Sequence, residues 1–155
     1  MEFVEIKDGD YEVFHDLLTA YYREGEDADT PQEVVDEFIQ GLFDEVTSHA
    51  IEGCFAREGE TPVGFALWAL DTEDFAYSEM PGFGAILEIG VLPAYRLGGR
   101  GAKLVAHVEA ELGKLGAREC YASAYGPAQA FWAKCGYRPS GKTASSGLPI
   151  LVKAI

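Results

Sequence analysis

Hydrophobic residues recur with helical spacing in the first third of this chain. Apolar side chains three and four residues apart predict an amphipathic helix over about residues 10–23. Thr30, Pro31 and Glu33 have the pattern of an N-cap, a proline at the first helical position and a capping-box glutamate, so a second helix is expected to begin there. The apolar face of that helix would be Val34, Val35, Phe38, Ile39, Leu42 and Phe43.

The middle and the end of the chain alternate in ways typical of strands. Short apolar runs predict strands at 3–6, 49–57 and 62–70, the last two joined by a turn of hairpin length. A loop over 71–84 precedes a strand at 85–92, which Pro93 ends because proline cannot donate to a ladder. The remaining predicted elements are a helix at 100–115 with Gly116 as its C-cap, a strand at 119–124, a helix at 128–135 and strands at 137–140 and 148–154. This order predicts a mixed α/β (α+β) fold in a single domain over residues 1–155.

Composition supports a folded chain and limits its surroundings. With 155 residues, 48% of them hydrophobic, the chain can bury a core. No apolar run approaches the ~20 residues that span a bilayer, and the N-terminus lacks a signal-peptide pattern, so no membrane association is expected. Cys54, Cys120 and Cys135 lack metal or redox spacing, which predicts buried thiols in the cytoplasm and no metal site.

Charge is distributed unevenly along the chain, whose formal net charge is −14. Residues 1–80 hold 22 acidic and three basic residues, a balance of −19, and residues 81–155 hold four acidic and nine basic residues, a balance of +5. A surface this acidic disfavours nucleic acid as a partner. The basic C-terminal half could still bind a compact anion.

Residues 91–105 (VLPAYRLGGRGAKLV) place three basic residues among three glycines, directly before the predicted helix at 100–115. A helix N-terminus exposes unpaired N–H groups at the positive end of the helix dipole, and glycines let a phosphate approach the backbone. The segment therefore predicts a phosphate-binding turn. It matches neither the P-loop pattern, in which serine or threonine would follow Lys103, nor the dinucleotide fingerprint, in which glycine would occupy position 104. Leu104 stands at that position.

Two motifs carry a resemblance to a known family. Arg96-x-x-Gly99-x-Gly101 is similar to the pyrophosphate-binding signature of the GNAT superfamily of N-acyltransferases, and residues 130–137 (AFWAKCGY) resemble its aromatic-rich helix followed by glycine and an aromatic residue. The resemblance covers nearly the whole chain. It implies a mixed, mostly antiparallel sheet flanked by helices, in which the central strands at 85–92 and 119–124 splay apart.

The resemblance also implies acetyl-CoA as the acyl donor. Backbone of residues 89–91 would pair with the pantetheine arm, with Gly90 as a natural place for a β-bulge. Backbone N–H groups of residues 97–102 would hold the pyrophosphate, and the three basic side chains could meet the phosphates. The implied cofactor-binding residues are Ile89, Gly90, Val91, Arg96, Leu97, Gly98, Gly99, Arg100, Gly101, Ala102 and Trp132.

The chain departs from the family pattern at the catalytic positions. Trp132 stands where many relatives have a tyrosine that protonates the leaving thiolate, and Leu87 and Ala85 stand where a base is common. Tyr125 could supply the acid or contact pantetheine, although a structural role is as plausible. Glu88 is the only carboxylate on strand 85–92, and its alternation with Leu87 means that a bulge would have to turn it toward the substrate.

We therefore predict an acetyl-CoA-dependent N-acetyltransferase acting on an amine. The acidic N-terminal half favours a small cationic amine, and a protein amine is also open. Tyr21, Tyr22 and Leu87 are expected to line the acceptor pocket. The alternative is a catalytically degenerate module that senses acyl-CoA, and either protein could be a monomer or a homodimer. His15 and His49 have no partner identifiable from the sequence.

Overall fold

A computed structural model describes residues 1–25 and 27–155. Glu26, which belongs to the predicted acidic loop, lies outside the described residues. The strands are β1 (Glu2–Glu5), β2 (Glu52–Glu58), β3 (Thr61–Leu70), β4 (Gly84–Val91), β5 (Glu119–Ser123), β6 (Arg138–Thr143) and β7 (Pro149–Ala154). The α-helices are α1 (Tyr11–Glu24), α2 (Gln32–Thr47), α3 (Arg100–Lys114) and α4 (Gln129–Lys134).

In the described part of the chain, seven strands form one sheet in the order β1-β2-β3-β4-β5-β7-β6. β1 pairs with β2, β5 with β7 and β6 with β7, all antiparallel. β4 and β5 pair in parallel, with Gly84 opposite Cys120 and Ala85 opposite Tyr121. The sheet is thus mixed and mostly antiparallel, and four helices accompany it, which confirms the predicted fold class.

The residues group into two compact units. The first unit comprises residues 1–67 and 88–104, and the second comprises residues 68–87 and 105–155. β3, β4 and α3 contribute residues to both units. The single domain over residues 1–155 stays a prediction.

Each unit has its own buried side chains. Those in the first unit include Phe14, Leu18, Val35, Ile39 and Phe65, each at most 1% exposed. Those in the second unit include Leu112, Cys120 and Ile150, likewise at most 1% exposed.

The start of α2 differs from the sequence-based expectation. Pro31, not Thr30, is the N-cap, and no side-chain hydrogen bond caps the helix. The Thr30 hydroxyl instead donates to Asp27 Oδ1 at 3.1 Å, so the capping-box prediction is wrong. A nearby turn acceptor competes for the hydroxyl that would otherwise cap the helix.

The buried face of α2 is narrower than the apolar pattern predicted. Val34 and Phe38 remain 37% and 49% exposed, whereas Val35, Ile39 and Phe43 are buried. Periodicity marks which residues can face a core, but the packing of neighbouring elements decides how wide that face becomes.

Glycines with positive φ mark turns that the sequence analysis placed correctly. Gly59, with φ 60°, lies in the turn between β2 and β3. Gly116, with φ 98°, follows the end of α3, which confirms it as the C-cap glycine. β2 begins at Glu52 rather than 49, because the chain turns first, with His49 at φ 63°.

Candidate active site

The turn before α3 has the backbone conformation that an anion-binding loop needs. Gly98 and Gly99 have φ of 84° and 74°, in the left-handed region that residues with a Cβ rarely adopt. The Gly99 carbonyl accepts the first hydrogen bond of α3, from the Lys103 N–H at 3.0 Å. The backbone N–H groups of residues 99–102 therefore have no partner within the helix.

Space is also available at this turn. A Cβ added at Gly99 would meet no heavy atom within 4 Å, and the Leu97 side chain is 83% exposed. The open N–H groups and the positive end of the α3 dipole lie where an anion can approach them. The residues present thus fit the pyrophosphate of coenzyme A.

Arg96 is engaged by two protein partners, although half of its side chain remains exposed. Its Nε donates to the Val91 carbonyl at 2.9 Å, and its Nη2 lies 2.8 Å from the Glu24 carboxylate at the end of α1. The first basic residue of the signature thus connects the end of β4 to α1. Binding of its guanidinium to a phosphate would have to compete with Glu24.

Arg100 is likewise engaged. Its Nε lies 2.6 Å from Glu58 Oε1, and its Nη1 donates to the Leu97 carbonyl at 2.6 Å. The hydrogen bond from Arg100 holds the pKa of the Glu58 carboxyl below its usual value. Lys103, one turn further along α3, is exposed. Backbone N–H groups and Lys103 are therefore the donors that an anion meets first.

Gly90 is needed for close packing against α1. A Cβ at this position would lie 2.9 Å from Tyr21 Cδ1 and 3.0 Å from Phe65 Cε1. The Tyr21 and Phe65 rings contact each other edge to face, with centroids 5.4 Å apart. The close approach of two rings explains the glycine, and a bulge at this position stays a prediction. Tyr21, Glu24, Gly90, Val91 and Arg96 line one narrow cleft.

Glu88 is a half-buried carboxylate that faces α1. The Tyr22 hydroxyl donates to Glu88 Oε1 at 3.4 Å, and the Tyr21 hydroxyl also hydrogen-bonds this carboxylate. Burial raises the pKa of Glu88 to about 7, and the negative charge of Asp27 adds to the rise, while the two tyrosines oppose it. At neutral pH such a carboxylate can both accept and release a proton, as a general base must.

The environment of Glu88 also shifts the pKa of Tyr21. Burial, followed by the charge of Glu88, raises the pKa of Tyr21 well above its ordinary value. Tyr21 therefore remains protonated and serves as a hydrogen-bond donor to Glu88. Sequence reasoning chose Glu88 as a catalytic candidate and Tyr21 and Tyr22 as residues of the acceptor pocket, and the structure brings these three residues together.

Three further predicted site residues, Tyr125, Trp132 and Leu87, belong to the second unit. Tyr125 is 38% exposed and precedes the turn that leads into α4. Trp132 is only 5% exposed and packs edge to face against Phe131 and Tyr137, with centroids 5.5 and 4.9 Å away. Trp132 thus fills the core beneath α4.

Leu87 packs on a buried cluster formed by Ala85, Tyr121, Ala144, Ile150 and Val152. Three further apolar side chains that are only partly buried, Phe75, Met80 and Phe83, lie against the same cluster.

Sequence reasoning missed Asp71, the first residue after β3. Its carboxylate is 1% exposed and accepts hydrogen bonds from Ser78 Oγ, the Glu79 and Met80 N–H groups and the Tyr121 hydroxyl, at 2.5 to 2.9 Å. Burial alone would raise its pKa, but these bonds outweigh burial and lower it. The sequence signal that could have identified Asp71 is an aspartate at the first position of a loop that also contains a serine.

A catalytic role for the histidines and cysteines has less support than one for Glu88. His15 has a partner that the sequence did not reveal, because its Nε2 lies 2.7 Å from Asp36 Oδ1. Burial raises the pKa of the Cys120 thiol to about 12, so this thiol is a poor nucleophile. Cys54 and Cys120 are buried as expected, whereas Cys135 is only partly buried.

Within residues 1–25 and 27–155, no three His, Cys, Asp or Glu side chains are grouped to hold a metal ion. None of the helices in these ranges has an apolar stretch of the length that a bilayer requires.

The fold and the glycine turn together are typical of an acyltransferase. The model of the acetyltransferase (GNAT) family matches residues 11–137, and the chain belongs to that family. A comparison with curated proteins finds no match.

Solved structures extend the likeness over the whole chain. The PaiA N-acetyltransferase of Thermoplasma acidophilum, in complex with coenzyme A, is 17% identical with a TM-score of 0.75, covering 99% of this chain and 98% of that one. A GCN5-related N-acetyltransferase of Ralstonia eutropha is 24% identical with a TM-score of 0.75, over 93% and 96% of the two chains. AAC(6')-Iy, in complex with a bisubstrate analog of CoA and acetylneamine, is 16% identical with a TM-score of 0.71, over 92% and 93%.

Proposed function

We propose that this protein is an N-acetyltransferase that transfers the acetyl group of acetyl-CoA to a primary amine. The observation that carries the proposal is the turn of Gly98 and Gly99, whose left-handed backbone opens the N-terminus of α3 to an anion. Family membership and the coenzyme A bound to the PaiA relative support the same donor.

Residues 89–91 and 97–102 would hold the donor. Backbone groups of Ile89, Gly90 and Val91 would pair with pantetheine, and the N–H groups of residues 97–102, with Lys103, would bind the pyrophosphate. Arg96 and Arg100 would keep the turn in shape through their bonds to Val91 and Leu97. Trp132 would support the site by packing. Bound acetyl-CoA supplies the activated thioester.

Glu88 would act as the general base and Tyr125 as the general acid. A primary ammonium must lose a proton before its nitrogen can attack, and we assign that proton to Glu88, directly or through one water. The amine nitrogen then bonds to the thioester carbon, the carbon–sulfur bond breaks, and the Tyr125 hydroxyl gives a proton to the leaving thiolate. The second proton from nitrogen then passes, directly or through water, to the Tyr125 phenolate, which leaves a neutral amide and restores the acid. Positioning of the two substrates would supply several kcal/mol of barrier reduction.

The acceptor would be a small cationic amine or a protein amine. The excess of 19 negative charges in residues 1–80 supports a cationic acceptor, and Tyr21, Tyr22 and Leu87 would form part of its pocket. Three free cysteines support a reducing compartment such as the cytoplasm. The enzyme would act as a monomer or a homodimer.

Two measurements test this proposal. Acetyl-CoA at 100 times its dissociation constant should raise the unfolding free energy by about 2.7 kcal/mol, seen as a higher melting temperature. Release of the CoA thiol should follow when an amine from a broad panel is added. No melting shift at millimolar acetyl-CoA would refute the donor site. A shift without turnover of any amine would favour the acyl-CoA sensor instead.

A further inference from the structure

The phosphate-binding turn contains two consecutive glycines, Gly98 and Gly99, both with positive φ. Glycine loses more conformational freedom on folding than any other residue, so a turn built on two of them has much backbone entropy to lose. If the ligand had to order this backbone, part of the binding free energy would be spent on doing so. The turn therefore benefits from a contact that fixes it before the ligand arrives.

The Arg100 side chain makes such a contact, because it folds back over the turn that precedes it. Its Nη1 donates to the Leu97 carbonyl at 2.6 Å, and a Cβ added at Gly98 would lie 3.5 Å from the same Nη1. The peptide bond between Leu97 and Gly98 is trans, so its carbonyl and its N–H point in opposite directions. Fixing the Leu97 carbonyl thus also fixes the direction of the Gly98 N–H, one of the groups that we assign to the pyrophosphate.

Arg100 is itself held by two neighbouring side chains. Its Nε lies 2.6 Å from Oε1 of Glu58, the last residue of β2, and its guanidinium carbon lies 6.0 Å from the centroid of the Tyr95 ring. The planar guanidinium can serve the carboxylate and the Leu97 carbonyl at once, because its donors form a rigid fork. We call Glu58, Tyr95 and Arg100 the turn clamp. The clamp and the turn belong to the same compact unit, the first.

We infer that Glu58 is a positioning residue for the acyl donor: it holds Arg100 on the Leu97 carbonyl and so strengthens coenzyme A binding, although its own charge repels phosphate. This inference rests on the proposed function, in which the turn binds the donor's pyrophosphate. The opposite expectation is that Glu58 withholds Arg100 from the phosphates. The structure favours positioning, because an Arg100 that moved to a phosphate would lose its bond to the turn as well as the ion pair. Arg96 differs, since its backbone partner Val91 lies in β4 and not in the turn.

The test measures the dissociation constant of coenzyme A by calorimetry for Glu58→Ala and Glu58→Gln. Glu58→Ala should weaken binding about tenfold, because the turn must then be ordered on binding. Glu58→Gln should weaken it less, because a neutral carboxamide oxygen can still accept a weaker hydrogen bond from Arg100. Glu60→Ala, which removes the same charge from the exposed turn between β2 and β3, should not weaken binding. Unchanged or tighter binding by Glu58→Ala would overturn the inference.

A double variant tests whether Glu58 acts through Arg100. Arg100→Met alone should weaken coenzyme A binding, and adding Glu58→Ala should then cause no further loss, because the residue through which Glu58 acts is already absent. Effects of the two substitutions that simply multiply would contradict the inference.

Dephospho-coenzyme A separates the turn from the rest of the nucleotide, because it keeps the pyrophosphate and lacks the 3′-phosphate. Glu58→Ala should weaken its binding by the same factor as that of coenzyme A, and a loss confined to coenzyme A would refute a role in the turn. A partly exposed ion pair adds little to stability, so the melting temperature of the ligand-free variant should stay close to that of the wild type. If the proposed function fails, the result differs, since the wild type itself would bind neither ligand.

Discussion

Replacing Glu88 with glutamine should stabilise the folded protein at pH 8 far more than at pH 5. The pKa of Glu88 rises from the ordinary 4.5 to about 7 in the folded state, mainly because burial removes water from the charged form. Each pKa unit corresponds to 1.36 kcal/mol, so 2.5 units correspond to about 3.4 kcal/mol. That is an upper bound, because the half-buried carboxylate keeps some contact with water.

The direction of the pH dependence follows from proton binding. Between pH 4.5 and 7 the folded state keeps a proton on Glu88 that the unfolded state has released. The stability linked to this proton is fully present below pH 4.5 and is lost as the pH rises through 7. The wild type should therefore lose at most about 2.5 kcal/mol from this group between pH 5 and pH 8. Glutamine has no such proton, so the variant should not show this loss.

Urea unfolding of both proteins at pH 5 and pH 8 measures the effect. Titration of histidines and other carboxylates cancels in the difference between variant and wild type. Glutamine keeps an oxygen that can accept the Tyr22 hydrogen bond. Glu60→Gln, in the exposed turn between β2 and β3, controls for removal of one charge from a chain of net charge −14. A stability difference between Glu88→Gln and wild type that is the same at both pH values would refute the argument.

Activity should also depend on the ionisation of Glu88, but it should rise with pH over the range in which stability falls. As a base, Glu88 must be ionised, so wild-type kcat/KM should rise with pH around a midpoint of about 7. Glu88→Gln should lose this rise together with most of its activity. A residue whose charged form costs stability is typical of a functional site.

Three further outcomes are expected. Gly99→Val should cost about 1–2 kcal/mol of stability, because φ is 74°, and should weaken CoA binding about tenfold or more, measured by calorimetry; unchanged affinity would contradict the phosphate turn. Glu24→Gln should release Arg96 for phosphate and tighten CoA binding several-fold at low salt, whereas weaker binding would show that Glu24 positions Arg96. Tyr125→Phe should lower kcat about a hundredfold, while Trp132→Phe should mainly lower stability, by about 1–2 kcal/mol; equal kcat for Tyr125→Phe and wild type would exclude the assigned acid.

Local sequence information predicted most of the fold because each element follows from nearby residues. The order of helices and strands, the glycine of the β2–β3 turn and the glycine after α3 depend on side chains within a few positions. The phosphate turn is local as well, since the conformation of Gly98 and Gly99 and the start of α3 adjoin each other. The prediction that Thr30 caps α2 was wrong for a reason that is also local. The Thr30 hydroxyl donates to Asp27, and this competing acceptor was overlooked.

The partners of the charged residues could not be predicted in this way. Arg96 pairs with Glu24 across 72 positions, and Arg100 pairs with Glu58 across 42. Glu88 meets Tyr22 across 66 positions. Contacts this distant in sequence arise only when the sheet and α1 assemble. The raised pKa of Glu88 has the same origin, since it depends on burial that arises only when the chain folds.

The two substrates carry opposite charges and should therefore respond to salt in opposite ways. A chain of net charge −14 attracts an ammonium and repels the polyanionic CoA. Two of the three basic residues near the turn are already paired with Glu24 and Glu58, so little free positive charge offsets this repulsion at a distance. The screening length shortens from about 30 Å at 0.01 M salt to about 10 Å at 0.1 M. Stopped-flow association of CoA should accelerate over this range, whereas kcat/KM for a cationic amine should fall. Salt-independent use of amines of different charge would show that the acidic half is a solvated surface remote from catalysis, and would leave acetyl transfer itself intact.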